Sequence, residues 1–155
     1  MMIEIKEITD KNEKSAISGQ ILYDLPEWFG LAESTEKYIE DSKDKPFLAG
    51  YVDNILAGFI VLNPTSKDTS EIFVMGVKKK YHRLSLGRKL SEAYEKLAKE
   101  SGFSYSQVKT VKAGHYAEYD ITNKFYQYMG YVELECFKDM WDSRNPCMIY
   151  IKYLK

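Results

Sequence analysis

The stretch that most constrains this chain is Val77-Lys-Lys-Lys-Tyr-His-Arg-Leu-Ser-Leu-Gly-Arg-Lys-Leu90, where an apolar run passes through a basic turn into a helix. Glu71-Ile-Phe-Val-Met-Gly-Val77 is rich in β-branched and aromatic residues and predicts a strand. Leu86, Leu90, Ala93 and Leu97 recur at the spacing of one helical face. A helix start carries unpaired N–H donors and the positive end of the macrodipole. Lys78, Lys79, Lys80, Arg83, Arg88 and Lys89 add positive charge there with no acid among them. A phosphate-bearing anion suits such a turn. Neither the Walker loop nor the Gly-x-Gly-x-x-Gly dinucleotide fingerprint can be laid on residues 76–90. Ser85 stands where a serine commonly N-caps a helix, its hydroxyl accepting from the N–H of Gly87 or Arg88.

What does fit is His82-x-x-Ser85-x-Gly87, which resembles the Gln/Arg-x-x-Gly-x-Gly/Ala acyl-CoA signature of the Gcn5-related N-acetyltransferase (GNAT) superfamily. His82 replaces the usual Gln or Arg, and Ser85 replaces the first glycine. Downstream, Asn123-Lys-Phe-Tyr-Gln-Tyr-Met-Gly-Tyr131 resembles the family's Phe-Tyr-x-x-x-Gly-Phe element, with Phe125 and Tyr126 on a short helix and Gly130 at its C′ position. The two motifs, with a strand-like Ser106–Val111 between them, span residues 71–137. Residues 1–65 resemble the family only in their order of elements.

At 155 residues the chain is expected to form a single domain, residues 1–155, with a full core. No low-complexity tract, linker or repeat interrupts it, and no apolar run reaches membrane-spanning length. The start, Met-Met-Ile-Glu-Ile-Lys-Glu-Ile, lacks a signal-peptide layout, so a cytoplasmic protein is expected. Cys136 and Cys147 are the only cysteines, read as free thiols, and no metal-ligand spacing is present. A net charge of −1 argues against a nucleic-acid binder, and no membrane partner is expected.

Ile3–Thr9 alternates as a half-buried strand, and Asn12–Leu22 reads as an irregular helix weakened by Gly19. Ser34 is expected to cap a helix over 35–42, with Tyr38 and Ile39 turned inward. Pro46–Val52 and Ile55–Leu62 flank Asp53-Asn54, a hairpin signal. The strand 70–77, the helix 86–100 stopped by Gly102, the strand 106–111, a helix near 121–129 and strands near 131–137 and 148–154 complete the order. The resemblance implies an α+β (mixed α/β) acyl-CoA N-acetyltransferase fold, a mixed and mostly antiparallel sheet flanked by helices.

The resemblance also implies direct transfer of an acetyl group from acetyl-CoA to an amine acceptor, with no metal. The strand ending at Val77 would pair with the pantetheine arm. The N–H groups of Arg83, Leu84, Ser85, Leu86, Gly87 and Arg88, following His82, would hold the pyrophosphate, and the backbone near Met75 would polarise the thioester carbonyl. Tyr126 occupies the position of the family's general acid for the CoA thiolate; the competing reading is a packing tyrosine. Glu71 matches the general base of one branch of the family, against an ordinary strand glutamate, and His115 in Gly114–Asp120 is a second candidate base. The acceptor side would be lined by Leu25–Gly30 and Trp141–Pro146, each holding a tryptophan beside an acid. Glu27, Trp28, Trp141 and Asp142 would suit a cationic amine, against the plainer reading of tryptophans plugging the core. A non-catalytic acyl-CoA-binding regulator is the alternative. The resemblance leaves oligomeric state open, with a homodimer the form that exposed sheet ends commonly take in the family.

Overall fold

A computed structural model describes residues 1–155. The chain runs β1 (Ile3–Ile8), α1 (Lys11–Leu22), α2 (Ala32–Ser42), β2 (Phe47–Val52), β3 (Ile55–Pro64), β4 (Thr69–Val77), a short 3₁₀ turn (Lys79–Tyr81), α3 (Leu86–Glu100), β5 (Tyr105–Val111), α4 (Ala117–Tyr128), β6 (Val132–Asp142) and β7 (Asn145–Tyr153). The strands form one seven-stranded sheet in the order β1-β2-β3-β4-β5-β7-β6. Every neighbouring pair is antiparallel except β4 and β5. The mixed, mostly antiparallel sheet flanked by helices is the expected one.

The apolar positions sort onto two faces of this sheet. Leu86, Leu90, Tyr94 and Ala98 of α3 pack with Tyr126 and Met129 over one face. Ile17, Ile21 and Leu22 of α1 pack on the other face against Phe47, Phe59 and Val61. Asp53 and Asn54 both take positive φ (49° and 68°), the backbone of the two-residue hairpin turn that their sequence signals. Helix α4 stops at Gly130, whose φ of 95° is the left-handed C′ conformation expected there.

Several boundaries differ from expectation. Helix α1 is regular through Gly19, and Asp10 caps it by accepting from Glu13 N at 2.8 Å. Helix α2 begins at Ala32, three residues before the expected start, so Ser34 lies inside it and Leu31 takes the cap position without a side-chain bond. Its fully buried positions are Thr35 and Ser42, each bonded back to a carbonyl four residues earlier, while Tyr38 and Ile39 are half-buried. Helix α4 begins at Ala117 rather than near 121, with Glu118 and Asp120 in its positive first turn and Asp120 Oδ1 accepting from Gly114 N at 2.7 Å. Strand β6 reaches Asp142, which leaves a turn of only Ser143 and Arg144 where a longer loop was expected.

The parallel pair decides what the sheet can do. β4 and β5 are in register only at Thr69–Tyr105, Ser70–Ser106 and Glu71–Gln107. Beyond Glu71, β4 keeps β3 on one edge but has lost β5 on the other. Val61 opposes Val74 while Leu62 opposes Ile72, so Phe73 is an extra residue that bulges β4 where the strands part. A chain of buried hydroxyls locks the paired end. Ser70 Oγ lies 2.7 Å from Tyr94 OH, which lies 2.8 Å from Ser106 Oγ, which lies 2.7 Å from Tyr131 OH.

Replacing Tyr94 by Phe removes the hydroxyl shared by two buried serines and should lower stability by about 2 kcal/mol, read from chemical denaturation. Burial pushes the Tyr94 phenol up to about 12, whereas an unfolded tyrosine titrates near 10. Its contribution is therefore intact below about pH 10 and lost as pH rises from there through about 12. Tyr94→Phe should flatten that alkaline loss, measured as denaturation midpoint against pH.

Candidate active site

The gap between the parted strands is a cleft of about 1210 Å³ lined by Ile72–Val77 of β4 and Val108–Val111 of β5. Its far end is the turn between β4 and α3. There Arg83 and Ser85 both hold left-handed backbone (φ 67° each), and Ser85 makes no side-chain cap bond to α3. The expected serine cap is thus absent: at φ 67° and ψ 7° the residue lies outside the extended conformation from which a cap reaches the helix N–H groups. That same backbone explains why glycine is the usual residue of the motif here. It also leaves the first turn of α3 without a protein acceptor for its donors, with no acid in that turn.

The structure brings most of the expected cofactor residues together. Met75, Val77, His82, Arg83, Ser85, Gly87 and Arg88 all line the cleft. Leu84 and Leu86 do not; Leu86 is 1% exposed and Leu84 packs against the same core, so only their backbones face outward. A Cβ on Gly87 would sit 3.4 Å from Phe125 and 3.5 Å from Met75, so a methyl fits but a larger side chain would fill the cleft. His82 Nε2 lies 2.7 Å from Val77 O, closing the turn on the strand it leaves.

Tyr126 lines the cleft and also packs in the core beside Phe125 and Met129. Its ring meets Phe125 at 5.4 Å and Tyr131 at 5.8 Å, both edge-on. Burial drives the phenol far above its ordinary value, so it holds its proton through the neutral range. Asn123 sets the height of this helix. Its amide donates to Val111 O at 2.9 Å and its Oδ1 accepts from Tyr150 OH at 2.6 Å, tying α4 to β5 and β7.

Glu71 is buried at the point of parting and does not line the cleft. Its carboxylate accepts from Asn63 Nδ2 at 3.3 Å and Gln107 Nε2 at 3.1 Å, and Lys109 Nζ stands 3.4 Å away on the cleft side. The reading of Glu71 as a solvent-facing strand residue is therefore corrected. His115 is exposed and belongs to a separate hollow of about 350 Å³ with Lys112, Cys136 and Lys138, so the structure does not bring it to the cleft.

Glu27, Trp28, Trp141 and Asp142 all line the cleft, as expected of the acceptor side. Their acids are not free, however. Glu27 is exposed and paired to Lys79, whose hydrogen bond holds its carboxyl below the usual range. Asp142 Oδ1 accepts from Arg144 N at 2.9 Å and Asn145 N at 3.0 Å, closing the β6–β7 turn, and the Asn145 amide lowers its carboxyl further. Trp28 is neither a plug nor an open wall. Its Nε1 donates to Glu118 O and Thr122 Oγ1 of α4 at 3.3 and 3.2 Å, Tyr119 OH donates to its carbonyl at 2.8 Å, and its ring meets His82 edge-on at 5.9 Å. Tyr38, Phe73, Lys109 and Tyr119 also line this part of the cleft; spacing along the chain carries no sign that these four meet.

Because Ser85 holds a conformation costly for a side chain, Ser85→Gly should raise stability by about 0.5–1 kcal/mol in thermal unfolding and should not weaken CoA binding in calorimetry.

The sequence profile of the acetyltransferase (GNAT) family matches residues 17–131. No curated protein matches the sequence. Among solved structures, a GNAT-family protein of Desulfovibrio desulfuricans superposes with a TM-score of 0.86 at 14% identity, covering 99% of this chain and 100% of its own. A GNAT acetyltransferase of Elizabethkingia anophelis with acetyl-CoA bound gives 0.76 at 18% identity, covering 98% of each chain. The aminoglycoside 6′-N-acetyltransferase of Enterococcus faecium gives 0.78 at 17% identity, covering 98% of this chain and 97% of its own. With the profile spanning both the cleft strands and the turn between β4 and α3, the chain belongs to the GNAT acetyltransferase family.

Proposed function

We propose that the protein is an N-acetyltransferase that moves the acetyl group of acetyl-CoA to a primary amine of a small molecule or peptide by direct attack. Residues 1–155 would act as one domain, in the cytoplasm. The observation that carries this reading is the free edge of β4 from Ile72 to Val77, facing a cleft that ends at the uncapped start of α3. An extended arm can pair with such an edge, and an anion can sit at such a helix start. The acetyl-CoA of the Elizabethkingia neighbour and the amine acetylation named for the Enterococcus enzyme support the same reading. Ser85 adopts the left-handed backbone a glycine would adopt, so it lends no separate support to a non-catalytic acyl-CoA-binding regulator.

In direct attack the amine nitrogen bonds to the thioester carbon, the C–S bond breaks, and the departing sulfur needs a proton. Tyr126 is the donor in this reading, protonated and placed on the cleft wall. The β4 backbone near Met75, next to the Phe73 bulge, stabilises the charge developing on the carbonyl oxygen. Glu71 supplies a fixed carboxylate beside Lys109 and is the candidate to receive the amine's proton.

Tyr126→Phe should lower kcat on the order of 10²-fold while leaving acetyl-CoA affinity nearly intact, measured by thiol release and calorimetry. Glu71→Gln should shift the acidic limb of the rate profile; an unchanged limb assigns proton removal to solvent. CoA affinity should fall with salt, and a pantetheine fragment should bind more weakly and without that dependence. Equal, salt-independent affinities for the two would remove the phosphate assignment.

A further inference from the structure

Away from the phosphate turn, the charged side chains of the cleft wall already have partners. Glu27 is held by Lys79, Asp142 closes its own turn through Arg144 N and Asn145, and Lys109 lies against Glu71, which two amides also engage. Between these groups the wall is aromatic. Phe29, Tyr38 and Phe73 form an edge-to-face ladder with centroids 6.0 and 5.4 Å apart, and Tyr116, at the N-cap of α4, and Tyr119 line the cleft with ring centroids 6.1 Å apart. The rim is apolar as well. Leu31, Tyr116, Met140 and Trp141 line the mouth and are 72, 40, 45 and 44% exposed. Scattered surface apolar residues need no account, but a set converging on one opening marks a binding site.

Resting on the transferase reading, we infer that the acceptor is a primary amine carried on an aromatic or alkyl group, with no second charge. The attacking nitrogen must be neutral, and an apolar wall favours the uncharged amine over the ammonium. A second cation would lose its water in this half of the cleft, where Glu27 is paired with Lys79 and Asp142 is turned onto the three N–H groups of its own turn. The aromatic ladder and the rim instead reward apolar area. This replaces the cationic acceptor that Glu27 and Asp142 suggested from sequence. The same chemistry occurs in a free arylalkylamine and in a peptide whose first residue is aromatic.

The test compares 2-phenylethylamine, hexylamine, a Phe-Gly amide dipeptide, spermidine and kanamycin. Acetylated product is measured by mass, and binding of each amine by calorimetry on the protein with and without CoA. The expected result is kcat/KM and affinity at least tenfold higher for the phenyl or hexyl amines than for spermidine or kanamycin. The ratio between 2-phenylethylamine and the dipeptide identifies the source. Tyr116→Ser and Trp141→Ser, at exposed positions that the fold tolerates, should each lower kcat/KM for the aromatic acceptor about tenfold and leave the acetyl-CoA KM unchanged. Preference for a polycation, weakened by Asp142→Asn, would overturn the inference. So would equal binding of all five amines, or binding of none. Failure of acetyl-CoA to bind or to donate to any amine sinks the transferase reading instead, while the calorimetric ranking still decides the acceptor class.

Discussion

Three residue pairs between β4 and β5 set the shape of everything else. Parallel strands need a long crossover, here α3, and their pairing is the only parallel contact in the sheet. It ends at Glu71–Gln107, and the reason it ends there is chemical. Up to that point Ser70, Ser106, Tyr94 and Tyr131 satisfy one another's hydroxyls in a dry environment, where parting them would strand polar groups without water. Beyond it the Phe73 bulge turns β4 aside and Asn123 takes up the carbonyl at the far end of β5. The zipped end is a fulcrum, and the cleft is the angle it holds open.

The two halves of that cleft are mechanically joined. The segment between α1 and α2 touches the β4–α3 turn twice, through Glu27–Lys79 and through the Trp28 and His82 rings. It touches α4 three times, through Glu118, Thr122 and Tyr119. A ligand that moves His82 acts on the far wall of the cleft through the Trp28 ring. Whatever free energy it spends there returns as an equal change in its own affinity when the acceptor binds.

Local signals made much of this legible in the sequence. The strand–turn–helix at 71–97, the Asp53-Asn54 hairpin and Gly130 are features in which a few adjacent residues decide the backbone. The cap at Ser85 was misread because local propensity ranks serine as a cap, whereas the turn required left-handed backbone that the two αL residues Arg83 and Ser85 adopt together. The partners of the buried and cleft-side acids are hidden for a different reason. Glu27 finds Lys79 across 52 residues, and Glu71 finds Gln107 across 36, so nothing near either acid in the chain reveals that its charge is engaged. Asp142 is the exception, since its partners lie two and three residues on and an Asp-x-Arg-Asn turn was there to be read. Helix α4 starts earlier than local propensity suggests because Asp120 lies inside its first turn and reaches back to Gly114 N.

The chain has two tryptophans, and both stand on the cleft. Their surroundings differ in ways an emission spectrum resolves. Trp141 is 44% exposed at the rim, whereas Trp28 is half-buried with its N–H bonded to α4 and its ring against the His82 imidazole. Ultraviolet fluorescence of the unlabelled protein therefore carries two distinguishable colours from one cavity, the bluer one sensing the β4–α3 turn and the redder one the mouth.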